Sequence, residues 1–173
     1  RYADLYPAKV DELARLAAES SLPTHASLPC TSACRYLAAV VAALIQGEAR
    51  EAVLAADWPP LLRLDAADPL HPLIRDVALG SYRRKAPPEI RGSGWVVESL
   101  EAALWAFHDA SSFEEAVLKA VNLGDDADTT AAICGQLAGA FYGAGSFPAD
   151  WLRPLVMREE IQQMADQLLA LAG

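Results

Sequence analysis

The stretch NLGDDADTTAAICGQLAGAFY, residues 122–142, sets an acidic segment directly before a long uncharged one. Positions 125–130 hold five acidic or hydroxyl side chains. From Ala131 to Tyr142 no residue is charged and most are apolar. Residues such as Asp and Thr favour the position just before a helix. The pattern therefore predicts a loop that leads into a helix over 129–142.

Small residues recur every four positions along this predicted helix. Residues four apart share one helix face, so they would form a smooth stripe. Each Gly lowers helix stability by about 1 kcal/mol relative to Ala, and close packing of a neighbouring helix would offset that loss. The stripe predicts that this helix lies at the centre of the fold. Its members are Ala131, Gly135, Gly139 and Gly143.

Other segments also repeat apolar residues at helical spacing, and none shows convincing strand alternation. The sequence therefore predicts an all-α fold, a compact multi-helix bundle that forms a single domain over 1–173. Two segments rich in proline or glycine are predicted loops, 21–29 and 85–94, and 59–72 is predicted to be irregular with short helical pieces. A first helix is predicted to begin at Pro7, and a second to run from a cap at Thr31 or Ser32 to Ile45. Another is predicted to run from a cap at Ser111 or Ser112 to near Asn122. The other predicted helices cover 48–56, 71–83, 95–108 and 157–172.

Composition limits the class of protein. The chain has 173 residues, 53% of them hydrophobic and 21% charged, which excludes disorder as the main state. Its net charge of −9 argues against nucleic acid as a partner, because phosphate attraction needs clustered Lys and Arg. The longest apolar run, 37–45, is too short to span a bilayer, so no membrane partner is expected. Three cysteines, without a spacing typical of a zinc site, are expected to be reduced in a cytoplasmic protein.

The acidic segment itself predicts a metal site. Asp125, Asp126 and Asp128 place three carboxylates within four residues, and like charges this close repel each other. Hard cations such as Mg²⁺, Mn²⁺ and Ca²⁺ favour oxygen ligands and would offset the repulsion. The alternative is an over-supplied helix cap, although a cap needs one such residue.

The same segment resembles the metal motif of the ADP-ribosylglycohydrolase family, which reads roughly Asn-x-Gly-Gly-Asp-x-Asp-Thr. Asp125 stands where the motif has its second glycine. Two other segments are similar to family segments: 92–107, a glycine loop with the helix after it, and Pro23-Thr24-His25 followed by 33–36. The resemblance covers about residues 20–171. The motif positions that match are Asn122, Gly124, Asp126, Asp128 and Thr129.

The resemblance implies a hydrolase that cleaves the N-glycosidic bond between ADP-ribose and a protein side chain, most simply arginine. It implies that Asp126, Asp128 and Thr129 supply half of a binuclear Mg²⁺ or Mn²⁺ site. Asn122 and Asp125 would hold the metal ligands in place without binding the metal themselves. The partner would be an ADP-ribosylated protein or a small ADP-ribose compound. The residues implied to lie beside ADP-ribose are Gly92, Ser93, Gly94, Trp95 and His25.

Part of the family pattern is missing from this sequence. Family members carry a second metal motif, Thr-Asp-Asp, and an acidic residue in an N-terminal half, and no Thr-Asp-Asp occurs here. We therefore expect a C-terminal portion of such a domain, with the catalytic residues in the missing N-terminal portion, which would itself be a partner. The alternative is a non-catalytic helical module that binds a divalent cation, ADP-ribose or a protein.

Charged residues near the glycine loop have a simpler interpretation. Glu98 and Glu101 are expected on the exposed surface of the helix over 95–108. A basic cluster flanks the loop and can meet a diphosphate, although a solvated face is the more common role of such a cluster. It comprises Arg83, Arg84, Lys85 and Arg91.

Overall fold

The computed structural model describes residues 6–170, and within this range it contains α-helices, two short 3₁₀ segments and no β-strand. The all-α prediction is confirmed. The 3₁₀ segments are Ser81–Arg84 and Ala144–Ser146. The helices are α1 (Val10–Ser21), α2 (Leu28–Ile45), α3 (Arg50–Val53), α4 (Pro59–Ala67), α5 (Pro72–Ala78), α6 (Val96–Phe107), α7 (Phe113–Val121), α8 (Ala127–Tyr142), α9 (Ala149–Leu152) and α10 (Arg158–Ala170).

Helix α6 lies at the centre of the described fold. Nine of its twelve residues are buried, including Leu100, Leu104 and Phe107. It packs against α2, α5, α7 and α8. An apolar residue on almost every face is typical of a helix that is surrounded on all sides.

Helix α8 is not the central helix, so the prediction from its glycine stripe is wrong. Only four of its sixteen residues are buried. A Cβ added at Gly135 would meet no atom within 4 Å, and one at Gly139 would meet only the Phe147 ring, at 3.7 Å. Gly143 lies beyond the helix end, with a φ of 77°. The small residues leave an open surface here, and no helix packs into it in the described structure.

Two helices carry, in their first turn, prolines that were predicted to lie in a loop or an irregular segment. Helix α4 is a regular helix of nine residues with Pro59 and Pro60 in its first turn, where an irregular segment with short helical pieces was predicted. Helix α2 begins at Leu28 after Ser27, not after Thr31 or Ser32, with Pro29 in its first turn. Proline suits this position because the first N–H groups of a helix have no partner within the helix.

Other boundaries also differ from the predictions. The first helix begins at Val10 instead of Pro7, and only Arg50–Val53 of the segment 48–56 is helical. The segment 71–83 is divided at Gly80, whose φ of 93° no right-handed helix allows. Helix α6 and the cap of α7 follow the predictions: the Ser112 hydroxyl accepts a hydrogen bond from the Glu115 N–H at 3.1 Å.

Helix α2 is long and apolar enough to cross a membrane by length and composition alone, unlike the shorter run 37–45. Half of it is buried inside the protein. The Arg35 side chain projects from its middle and is buried against α4. It donates to the carbonyl oxygens of Leu64 and Asp68 at 3.1 and 2.7 Å, and lies 2.8 Å from an Asp68 carboxylate oxygen. These contacts satisfy the last carbonyls of α4 and are typical of a core helix.

Helix α10, in contrast to α2, is not buried in the described structure. Its described residues are all exposed, including Ile161, Met164 and Leu168 of the predicted apolar stripe. The predicted end of this helix, 171–172, lies outside the described residues.

The three cysteines are free. Cys134 is buried on α8 and its thiol lies 3.3 Å from the carbonyl oxygen of Ala116. Burial raises the pKa of this thiol to about 12. A thiol that stays protonated is a weak nucleophile, so Cys134 has a packing role.

The open surface over Gly135 leads to a prediction about stability. We expect Gly135→Ala to raise the free energy of unfolding by about 0.5–1 kcal/mol, because Ala favours the helix and the added methyl meets no atom. Urea unfolding measures this change. As a control, Gly47→Ala also meets no atom but has a φ of 86°, so it should lower stability. A loss of stability in Gly135→Ala would show that another element covers this face in solution.

Candidate metal and ligand site

The acidic loop, residues 122–126, turns the chain sharply between α7 and α8. Gly124 and Asp125 both adopt the left-handed conformation, with φ values of 73° and 56°. Asp is one of the few residues other than Gly that tolerates this region. The conformation gives a physical reason for a glycine at position 125 in the family motif, and for Asp as its replacement here.

The loop brings two carboxyl groups together at the start of α8. Asp126 stands at the N-cap position, yet its side chain makes no capping hydrogen bond. A hydrogen bond from the Asp126 carboxyl, with the backbone N–H groups of Thr129 and of Asp128 itself, holds the pKa of Asp128 below its usual range. Two neighbouring carboxylates repel each other, and a divalent cation bound to their oxygens would offset that repulsion. The oxygen donors therefore fit a hard cation.

The remaining side chains of this segment point in different directions. Asp125 faces Arg91, with 3.9 Å between Oδ2 and Nη2, and both side chains are exposed. Asn122 ends α7 and is exposed, and its N–H bonds the Leu118 carbonyl at 3.0 Å. Thr129 is exposed beside the carboxyl pair. Among the described residues no group of three or more His, Cys, Asp or Glu side chains is placed to hold a metal.

The glycine loop, residues 91–95, lies directly against the acidic loop. The Asp126 N–H donates to the Gly92 carbonyl oxygen at 2.7 Å. A Cβ on Gly92 would lie 2.8 Å from Thr130 Oγ1 and 3.4 Å from the Gly124 carbonyl oxygen. A Cβ on Gly94 would lie 3.5 Å from Asp126 Oδ2. Position 92 therefore requires glycine, because any side chain would separate the two loops.

Thr130 belongs to this contact, although no sequence pattern singled it out. Its side chain is fully buried, and Oγ1 has no hydrogen-bond partner. Thr130, which follows the exposed Thr129, thus packs directly against Gly92. Its buried surroundings could not be read from a run of two threonines.

Glu98 bonds the glycine loop and Glu101 is buried, so their prediction as exposed surface residues is wrong. Ser93 Oγ bonds Glu98 Oε2, and the Trp95 N–H donates to Ser93 Oγ at 3.2 Å. Glu101 is buried, and Lys85 Nζ lies 2.8 and 2.7 Å from its two oxygens. The missed signal was the position of Glu98 in the first turn of a helix, where an acidic side chain often reaches back to a preceding residue.

Most of the predicted basic cluster already has partners within the protein. Lys85 is held by Glu101 and Arg91 faces Asp125. Arg83 donates to the Leu54 carbonyl oxygen at 3.2 Å and covers the Tyr82 ring. Arg91 alone of these three lies on a cleft beside the acidic loop. This cleft has a volume of about 350 Å³ and is lined by Pro87, Pro88, Ile90, Arg91, Gly92, Asn122, Leu123 and Asp125.

The last two residues predicted to contact a ligand, Trp95 and His25, lie in different elements of the fold. Trp95 is 48% exposed at the start of α6, so its ring is free to contact a ligand. His25 lies in the exposed loop between α1 and α2, where its N–H bonds the Ser21 carbonyl at 2.7 Å. No hydrogen bond or ion pair joins His25 to either loop in the described structure. The structure thus brings Gly92 and Gly94 against the acidic loop, with Ser93 and Trp95 next to them in the chain.

An apolar groove between α1 and α2 has a similar volume, about 350 Å³, but lies away from both loops. Leucine, valine and alanine side chains dominate its lining, and it holds no charged residue. The cleft beside the acidic loop has the charged and amide groups that a polar ligand needs.

Comparison with known proteins gives a consistent result. The family model described as ADP-ribosylglycohydrolase matches residues 2–173. The chain is 40% identical over 152 residues to ADP-ribosylarginine hydrolase Tri1 of Serratia proteamaculans, covering 88% of this chain and 39% of that protein. It is 39% identical over 89 residues to ADP-ribosyl-[dinitrogen reductase] glycohydrolase of Rhodospirillum rubrum, covering 50% and 30%.

A solved structure described as an ADP-ribosylglycohydrolase-related protein complex is also similar. Its TM-score is 0.79 at 41% identity, and the match covers 92% of this chain and 52% of that chain. This chain thus spans about two fifths of the first of these curated relatives and about half of the solved chain. Because the family match runs through almost every residue, including both loops, this chain belongs to the ADP-ribosylglycohydrolase family.

Proposed function

We propose that this chain forms the metal- and ligand-binding part of a hydrolase that cleaves the N-glycosidic bond between ADP-ribose and an arginine side chain, with dependence on Mg²⁺ or Mn²⁺. The observation that carries the proposal is the 2.7 Å hydrogen bond from the Asp126 N–H to the Gly92 carbonyl. It sets the loop suited to a nucleotide against the carboxyl pair suited to a cation. The acceptor is proposed from the Serratia relative, which is named as an ADP-ribosylarginine hydrolase.

Asp126 and Asp128 would hold the cation, with Thr129 as a neighbouring oxygen donor. A pair of divalent cations held there would orient the ribose and position a water molecule. Cleavage of the glycosidic bond builds positive charge on the ribose ring. The glycines at 92 and 94 let backbone atoms approach the ligand closely.

The remaining metal ligands are proposed to come from a polypeptide segment that lies outside the part of the longer relatives matched here. The Serratia relative is more than twice as long as the segment matched here, since that segment covers 39% of it. The carboxyl pair lies at the surface, where a further polypeptide can reach it. The same consideration supports the second candidate function, a non-catalytic module that binds a cation or ADP-ribose.

The metal site predicts the behaviour of two variants. We expect Asp126→Ala and Asp128→Ala each to abolish Mn²⁺ binding measured by titration calorimetry, because each removes one carboxylate of the pair. Circular dichroism should remain unchanged, since neither side chain lies in the core. Asp57→Ala removes an exposed carboxylate outside both loops and is the matched control. Equal Mn²⁺ affinity in all three variants and the parent chain would contradict the metal site.

The exposed indole predicts a fluorescence response. If Trp95 stacks on adenine, ADP-ribose should quench part of the tryptophan emission, and Trp95→Phe should remove that part. Loss of a base stack in Trp95→Ala should weaken binding by about 1–3 kcal/mol. Trp151→Phe, on α9, is the control for the other indoles. A quench that survives in Trp95→Phe would place the ligand elsewhere.

Release of ADP-ribose from ADP-ribosyl-arginine, with and without Mn²⁺, separates the two candidate functions. Release that needs Mn²⁺ and is lost in Asp128→Ala is expected if the chain, alone or with the complementary polypeptide, completes the site. If the chain binds Mn²⁺ and ADP-ribose but releases no ADP-ribose, whether alone or with the complementary polypeptide, the non-catalytic module is favoured. The absence of both binding and release would reject the proposal.

A further inference from the structure

Helix α6 holds the glycine loop at Ser93 and also holds Lys85, which precedes the loop. Lys85, where the segment before the loop begins, is fixed by buried Glu101. Ser93, inside the loop, is fixed by Glu98, one turn earlier on the same face of α6. The loop is therefore tied to the most buried helix of the described fold.

The contact made by Glu98 continues into the acidic loop. Ser93 Oγ bonds Glu98 and accepts the Trp95 N–H at 3.2 Å, which fixes the position of Ser93. Gly92 is its neighbour in the chain, and the Gly92 carbonyl accepts the Asp126 N–H at 2.7 Å. Two hydrogen bonds and one peptide unit thus connect Glu98 to Asp126.

The connection leaves little room for independent movement. Gly92 rests on the buried Thr130 so closely that an added Cβ would come within 2.8 Å of its hydroxyl. Gly94 lies beside the Asp126 carboxylate, with 3.5 Å from an added Cβ to Oδ2. A displacement of Ser93 would therefore move Gly92 and alter the position of Asp126.

We propose that Glu98 is a positioning residue: acting through Ser93, it sets the Gly92 carbonyl and thereby the orientation of the acidic loop. Its importance for catalysis rests on the proposed function, but its effect on the loop does not.

A simple helix cap is the competing explanation, and the chain contains a matched case. Glu115 occupies the third position of α7, as Glu98 does in α6, and it also bonds a preceding serine, Ser111. The Ser111 N–H donates to Glu115 Oε2 at 2.8 Å. Ser111 has no hydrogen bond to the glycine loop or the acidic loop in the described structure. The two glutamates thus share the cap and differ in what lies beyond it.

Amide hydrogen exchange of the metal-free chain tests the proposal. We expect Glu98→Ala to speed exchange of the Trp95 and Asp126 N–H groups by about tenfold, because a hydrogen bond to a charged group is lost. Glu98→Gln should restore slow exchange, since its side-chain oxygen still accepts the Ser93 hydroxyl. Glu115→Ala should leave the Asp126 exchange unchanged while lowering overall stability to a similar extent.

Unchanged exchange at Asp126 in Glu98→Ala would overturn the proposal, and so would an equal increase in Glu115→Ala. A fall in Mn²⁺ affinity in Glu98→Ala, recovered in Glu98→Gln, is expected as a second result. If the parent chain binds no Mn²⁺, the proposed metal site fails, and the exchange measurement still decides the role of Glu98.

Discussion

The site depends on one hydrogen bond, from the Asp126 N–H to the Gly92 carbonyl oxygen. It joins two loops that are 34 positions apart in sequence, and it forms only because Gly92 has no side chain. A bond of this kind fixes distance and direction together, because an N–H group must point at its acceptor. The spacing between the glycine loop and the carboxyl pair is therefore set by the backbone and not by flexible side chains.

The fold supports this bond through α6 and α8, which pack against each other. The glycine loop leads into α6 and the acidic loop leads into α8. Arg50 adds a fixed point at the other end, where its guanidinium donates to the Ala110 carbonyl oxygen at 2.6 Å and lies 3.2 Å from the Tyr142 hydroxyl. Because α6 and α8 are secured at one end, the glycine loop and the acidic loop at their other ends keep a fixed position relative to each other.

Much of the fold could be predicted from the sequence because it depends on local patterns. The all-α class, the range of α6 and the cap at Ser112 follow from spacing and from helix-start preferences. The starts of α2 and α4 were missed because proline was read as an interruption, although the first turn of a helix accepts it. The error over α8 has another cause: a stripe of small residues shows that a neighbour can come close, not that one is present.

The candidate site was predictable in its parts and not in its assembly. Resemblance to a family motif pointed to both loops, but their contact joins distant residues and no local pattern records it. The same holds for Glu101, which has a charge typical of a surface residue and finds Lys85 sixteen positions away. The partner of a buried charge is chosen by tertiary packing, so a single sequence without that packing indicates only exposure.

The position of the carboxyl pair at the first turn of α8 has an electrostatic consequence. The backbone dipoles of this 16-residue helix add up to about half a positive charge at its N-terminus, directly behind Asp126 and Asp128. This field stabilises the two carboxylates as anions, and it repels any cation that binds to them. We therefore expect the loop alone to hold a divalent ion loosely and exchange it readily, so that tight retention would require further negative ligands from outside the helix axis.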